Sequence, residues 1–164
     1  GDNIRDHAYA VLHVDGQTSP VARATFSDWQ IAGCPHHGPG LAIGGDGTRH
    51  AVWYEAKGQP RIWYGQLDPG HAPKHPLAIA GAGASHADVA VHGRTAWVAW
   101  NQVGADGYTL MLRRSTDNGA HFDVPREIAR SSGAAGSPQL LLKQGRAFVA
   151  WNTATGFRLV ELPQ

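Results

Sequence analysis

The chain alternates short apolar runs with glycine-bearing turns, and no stretch keeps a helical period for even three turns. The runs are three to five residues long and rich in β-branched and aromatic residues. Gly, Pro, Asn and Asp separate them, which is typical of strands joined by tight turns. This pattern predicts an all-β protein.

A unit of two apolar strands around a glycine-bearing turn recurs along the chain. The second strands of three such units align so that Tyr54, Trp100 and Trp151 fall on one position. Their spacing is close to the roughly 40–50 residues that one four-stranded propeller blade occupies. The first strands are 41–43, 89–91 and 140–142, and 11–13 belongs to a fourth copy.

Residues 115–122 read S-x-D-x-G-x-x-F, a hairpin signature in which every fixed position has a geometric role. Gly119 is able to adopt the positive φ of a tight turn, Asp117 to accept backbone N–H bonds, and Phe122 to cover the turn. The octapeptide resembles the Asp-box, or BNR repeat, of the sialidase-like β-propellers. That resemblance implies a structural role for Ser115, Asp117, Gly119 and Phe122, on the face opposite the usual ligand site.

The resemblance implies a β-propeller of four-stranded antiparallel blades. We expect residues 1–164 to form a single region with complete blades at 38–85 and 86–136 and partial blades at 1–37 and 137–164. Two complete and two partial blades are part of a six-bladed whole, so a larger propeller, a second copy or another chain would close the ring. The predicted strands are 8–13, 41–43, 51–54, 61–66, 76–79, 88–91, 95–100, 108–114, 125–129 and 157–162.

Composition narrows the classes of partner. Charged residues make up 16% of the chain and the formal net charge is +1, which gives no electrostatic case for nucleic acid. No apolar run approaches the ~20 residues that span a bilayer, so we expect no membrane insertion. One cysteine excludes an intrachain disulfide. No signal peptide is present in the chain as given, but the resemblance implies a periplasmic or secreted protein.

The connection at 33–39 combines a thiol with two imidazoles. Cys34, His36 and His37, with His86 at the corresponding junction one blade later, are candidate ligands for Zn or Cu. Two other interpretations remain: Cys34 packs under a blade, or the loop contacts a ligand through polar groups. Residues 29–39 also resemble a W-x-I-x-x-C-P-x-x-G-P segment of bacterial sialidase-like proteins.

One polar residue follows the aromatic at the end of each second strand. Glu55, Asn101 and Asn152 hold these positions. Placed around a channel beside aromatic rings, such side chains would suit the hydroxyls and the apolar face of a sugar. The alternative is that they cap their own loops through backbone bonds.

Catalysis is an open alternative. Sialidases use a Tyr nucleophile assisted by Glu, so Tyr54 and Glu55 are the candidate catalytic pair. Successive strand residues point to opposite faces, however, and the arginine triad of sialidases cannot be assembled from this chain alone. We therefore expect a noncatalytic recognition role toward a carbohydrate or a partner protein. The alternatives are a sialidase-type exo-acting glycoside hydrolase completed by further blades, and a Zn or Cu binding protein using Cys34, His36 and His37.

Overall fold

The protein is built from short antiparallel strands. A computed structural model describes residues 3–163, and none of these residues is helical. Strands that follow each other along the chain are hydrogen-bonded neighbours within four separate sheets. Residues 1, 2 and 164 of the predicted region lie outside the described residues.

Each sheet is an up-and-down meander. Sheet I has two strands, sheets II and III have four each, and sheet IV has three. Sheet I consists of β1 (Ala8–Tyr9) and β2 (Ala22–Arg23); sheet II of β3 (Gly40–Ile43), β4 (Arg49–Glu55), β5 (Arg61–Asp68) and β6 (His71–Ala80); sheet III of β7 (Ala84–His92), β8 (Thr95–Gly104), β9 (Gly107–Ser115) and β10 (Arg126–Ser131); sheet IV of β11 (Gln139–Lys143), β12 (Arg146–Thr153) and β13 (Gly156–Glu161).

The all-β prediction is confirmed, as are two consecutive four-stranded antiparallel sheets at 40–80 and 84–131. Most strands run longer than the apolar runs that predicted them, because antiparallel ladders continue into residues that carry polar side chains. Strand β7, for example, begins at Ala84, four residues before its predicted start, and pairs Ser85 with Asn101.

The predicted strand at 8–13 is wrong in its length. Regular pairing in sheet I covers only Ala8–Tyr9 and Ala22–Arg23. Pro20 has no N–H to donate to the ladder. The Val11 N–H donates to the Ser19 hydroxyl at 2.9 Å, and the Ser19 N–H donates to the Val11 carbonyl at 2.8 Å. The chain beyond Tyr9 is therefore a narrow loop that retains one isolated bridge, between Leu12 and Thr18.

Sheet III lies between sheets II and IV, and strand β8 supplies both interfaces. Its side chains alternate in direction: Ala96, Val98 and Trp100 pack against sheet II, whereas Trp97 and Ala99 pack against sheet IV. Burial on both faces explains why the apolar run of β8 is continuous, where a sheet with one wet face would alternate.

The first strands of the last three sheets lie side by side, with β7 packed against β3 on one side and β11 on the other. Asp88 on β7 fastens this arrangement. Its Oδ1 accepts the Val89 N–H at 2.9 Å, and its Oδ2 accepts the Leu140 N–H of sheet IV at 2.8 Å. Burial raises the pKa of Asp88 above its ordinary value, against the opposing effect of these two bonds.

Candidate functional site

The turn at 115–122, which joins β9 to β10 and carries the S-x-D-x-G-x-x-F pattern, is held by its own side chains. Ser115 Oγ accepts the Gly119 N–H at 2.9 Å and donates to Asp117 Oδ1 at 2.7 Å. The same carboxylate accepts the His121 N–H at 2.9 Å and contacts the His121 ring nitrogen Nδ1 at 2.7 Å. These bonds stabilise the charged carboxylate and so lower the pKa of Asp117; the bond from the His121 backbone N–H has the largest effect.

The turn also docks on the neighbouring sheet. The Phe122 ring meets the Tyr64 ring of β5 edge to face, with centroids 4.8 Å apart. Gln66 Nε2 donates to the Asn118 carbonyl at 2.9 Å. The φ of Gly119 is +84°, and a Cβ there would lie 2.5 Å from Tyr64 Cζ. These polar contacts of residues 115–122 serve the turn or the contact between sheets. The structural role of Ser115, Asp117, Gly119 and Phe122 stays a prediction.

Four rings meet where the connection 33–39 crosses the end of β4. His37 stacks on Tyr54 with centroids 4.0 Å apart, and His86 lies 4.9 Å from His37. Trp29 contacts the Tyr54 ring edge to face at 5.8 Å. The prediction that His37 and His86 lie at one junction therefore agrees with their positions. His37 Nδ1 is buried and has no hydrogen-bond partner among residues 3–163.

The predicted metal ligands are not assembled. Cys34 and His36 are exposed, while His37 is held against Tyr54. Within residues 3–163 no three His, Cys, Asp or Glu side chains come close enough to hold a metal ion.

The polar residues that follow the repeated aromatic position differ in their exposure to solvent. Asn101 is fully buried; its Nδ2 donates to the Gly136 carbonyl at 2.9 Å and its Oδ1 accepts the Trp151 indole N–H at 3.0 Å. Its predicted ligand-binding role is therefore corrected to a structural one, because both ends of the amide are used within the protein. Asn152, by contrast, is exposed.

Tyr54 and Glu55 point to opposite faces of sheet II. The Tyr54 ring packs with Trp29 and His37, whereas Glu55 lines a groove on the other face together with Trp53. A nucleophile and its assisting acid must reach the same substrate atom, so these two side chains do not form a catalytic pair in this arrangement.

The groove beside Glu55 has an aromatic floor. Trp53 and Trp63 are direct cross-strand partners on β4 and β5 and both line it. The Trp53 ring lies across Gly65, where a Cβ would be 3.0 Å from Trp53 Cη2. Pro73 and Pro76 of β6 form one wall, as expected of an edge strand that tolerates proline. The volume is about 290 Å³.

The other wall of this groove is the segment 25–27, which the Asp6 carboxylate holds in place. Asp6 accepts hydrogen bonds from the Ser27 hydroxyl at 3.0 Å and the Asp28 N–H at 3.1 Å, and it pairs with Arg23. Burial by itself would raise the pKa of Asp6, but the bonds from Arg23, Ser27 and Asp28 outweigh it and lower the pKa overall. The wall is therefore a fixed part of the groove.

Sequence reasoning identified Glu55 but missed Trp53, Trp63 and Phe26 as its neighbours. The alignment of repeats drew attention to Tyr54, which faces the interior between sheets. A usable signal was present: Trp53 and Trp63 lie on the two strands of one hairpin, at positions that pair if the turn is centred on 58.

Three histidines that are wholly or partly buried predict that the protein loses stability in mild acid. Burial lowers the pKa of His7, His37 and His50 below their ordinary value of 6.5. These histidines therefore bind protons more readily in the unfolded chain than in the folded one. The free energy of unfolding that they contribute is fully present above pH 6.5, and it is lost as the pH falls toward the pKa values of the folded state. Urea titrations at pH 7.5 and pH 5.5, above the carboxylate range, should show a lower midpoint at pH 5.5. An unchanged midpoint would contradict the assignment.

The described part of the chain has no helix with the length and apolar character needed to cross a membrane. Its distinctive features are the docked turn at 115–122 and the groove that Trp53 and Trp63 line. Comparison with protein-family models, with curated proteins and with solved structures gave no match.

Proposed function

We propose that the chain is part of a sialidase-like β-propeller of the Asp-box type. Three observations support this: consecutive four-stranded meanders, first strands β3, β7 and β11 packed side by side, and an Asp-box turn that docks on the preceding sheet. Successive sheets that each cover the face of the next are the organisation that radial repetition produces.

The function we propose is noncatalytic recognition of a carbohydrate in the groove over Trp53 and Trp63. The observation that carries it is the partly exposed Trp63 indole in the same groove as the Glu55 carboxylate, with the buried Trp53 as its cross-strand partner. Aromatic faces pack against the apolar face of a sugar ring, and a carboxylate accepts bonds from its hydroxyls.

A sialidase activity has less support. Its candidate pair, Tyr54 and Glu55, is split between two faces of sheet II. Several arginines that a substrate carboxylate would need are already engaged with protein groups. Ion pairs with carboxylates occupy Arg23, Arg126, Arg130 and Arg146, and Arg113 donates to backbone carbonyls.

Changing Trp63 to alanine tests the proposed site. We expect binding of a responsive oligosaccharide to weaken by roughly tenfold or more, because one stacking platform is lost. A panel of soluble oligosaccharides first identifies the ligand by isothermal titration calorimetry, and the variant is then titrated with it. Thermal unfolding of the variant checks that its fold is retained.

Phe157→Ala is the matched control, since Phe157 on β13 is also an aromatic and is 64% exposed, far from the groove in sequence and on another sheet. Its affinity should equal that of the original chain. Trp63→Phe, which keeps a ring at the site, should bind with intermediate affinity. Equal binding by Trp63→Ala, or no binding of any oligosaccharide by the original chain, would rule the proposal out.

A further inference from the structure

The groove has a single charged lining residue. Glu55 stands among aromatic, proline, alanine and hydroxyl side chains. Within residues 3–163 its carboxylate has neither an ion-pair partner nor a hydrogen-bond donor. Two of its lining neighbours, Thr25 and Ser27, already donate their hydroxyl protons to Asp6. No lining residue of the groove therefore neutralises the negative charge of Glu55.

The nearest basic side chains are placed elsewhere. Lys57 Nζ donates to the backbone carbonyl of Ser27 and does not line the groove. Arg61 is the cross-strand partner of Glu55, but its guanidinium lies over the Trp63 ring, 6.0 Å from the centroid, and is not a lining group. Glu55 is therefore the one charged group among the residues that line the groove, although Arg61 lies over the neighbouring Trp63 ring.

We infer that the groove selects uncharged pyranosides and discriminates against pyranosides that carry a carboxylate; this inference rests on the proposed function. Sugar hydroxyls are donors that the Glu55 carboxylate can accept. A ligand carboxylate would instead face a like charge beside apolar walls, where screening by water is weaker than in bulk. The ligand class thus differs from the acidic sugars that the resemblance to sialidases would suggest.

The size of the groove fits a short ligand. A volume of about 290 Å³ is at the small end of ligand pockets. One pyranose ring over Trp63 would already bring a hydroxyl near Glu55, so the charge of that ring decides the selectivity. Monosaccharide glycosides are therefore suitable probes.

Matched glycosides isolate the effect of charge. Methyl β-D-glucopyranoside and methyl β-D-glucuronide share their ring and differ by one carboxylate, as do the corresponding galactoside and galacturonide. Titrations followed by the indole N–H signal of Trp63 in ¹H–¹⁵N spectra should give at least tenfold tighter binding of the uncharged member of a pair. Glu55→Gln should reduce that ratio to about threefold or less. Glu127→Gln, a control on sheet III whose carboxylate pairs with Arg130, should leave the ratio unchanged.

The outcomes separate the two proposals. Tighter binding of the uncharged members, with the ratio reduced only in Glu55→Gln, supports the inference. Equal or tighter binding of the uronides overturns the inference but leaves carbohydrate recognition standing. If none of the four glycosides nor the oligosaccharide panel shifts the Trp63 signal, both the inference and the proposed function fail.

Discussion

Replacing Gly119 by alanine is expected to destabilise the protein by about 3 kcal/mol or more. Two costs combine: a left-handed φ of +84°, which costs an L-residue roughly 1–2 kcal/mol, and overlap of the new methyl group with the Tyr64 ring and hydroxyl. Tyr64 has little room to move, because it is fully buried and its hydroxyl lies 2.6 Å from His50 Nδ1. Urea denaturation followed by tryptophan fluorescence measures the loss.

Gly58→Ala is the control that separates the two costs. Gly58 has almost the same φ, +82°, but a Cβ there would meet nothing within 4 Å. It should therefore lose only the backbone part, roughly 1–2 kcal/mol. If both variants lose the same stability, the contact between the Asp-box turn and sheet II contributes nothing, and the docked turn described above is not a feature of the folded protein in solution.

Replacing Trp151 by alanine should cost about 3–5 kcal/mol, the usual range for deleting a fully buried large aromatic side chain. Trp151 fills the interface between sheets III and IV, and its indole N–H is shared between Asn101 Oδ1 at 3.0 Å and the Gly136 carbonyl at 3.1 Å. Chemical denaturation should show the whole transition shifted to lower urea, because the cavity lies between two sheets that pack on each other.

Trp151→Phe distinguishes packing from hydrogen bonding. This variant keeps most of the ring but leaves Asn101 Oδ1 without that donor, so a loss of about 1–3 kcal/mol is expected. A cost below about 1 kcal/mol for Trp151→Ala would mean that sheet IV does not pack on sheet III as described.

The strand framework was predictable because its signals are local. Apolar runs bounded by glycine, proline and asparagine located the strands of sheets II to IV, and the S-x-D-x-G-x-x-F pattern located the turn after β9. The loop after Tyr9 was not predictable in this way. Its apolar residues Val11 and Leu12 indicate a strand, whereas in the structure the Ser19 side chain bonds Val11 and only one isolated bridge, Leu12 to Thr18, continues the pairing.

The candidate site was predictable only in part, because its chemistry depends on which face a side chain occupies. His37 and His86 were expected to meet, and they do. Asn101 and Glu55 hold equivalent positions in the repeat, yet one is fully buried and the other lines a groove. The difference arises from neighbours far away in sequence. The Gly136 carbonyl accepts a hydrogen bond from the Asn101 amide, whereas segment 25–27 covers only part of the face that bears Glu55.

The double-sided burial of sheet III has a consequence for cooperativity. Sheets II and IV each pack on sheet III, so each stabilises the other mainly through sheet III. Repeat proteins in a linear array are stabilised through their nearest neighbours in the same way. Amide protons of β8 should therefore exchange slowest of all, and those of the outer strands β6 and β13 much sooner. In such an array, a mutation that loosens one flanking sheet leaves the opposite flank protected until the middle layer itself opens.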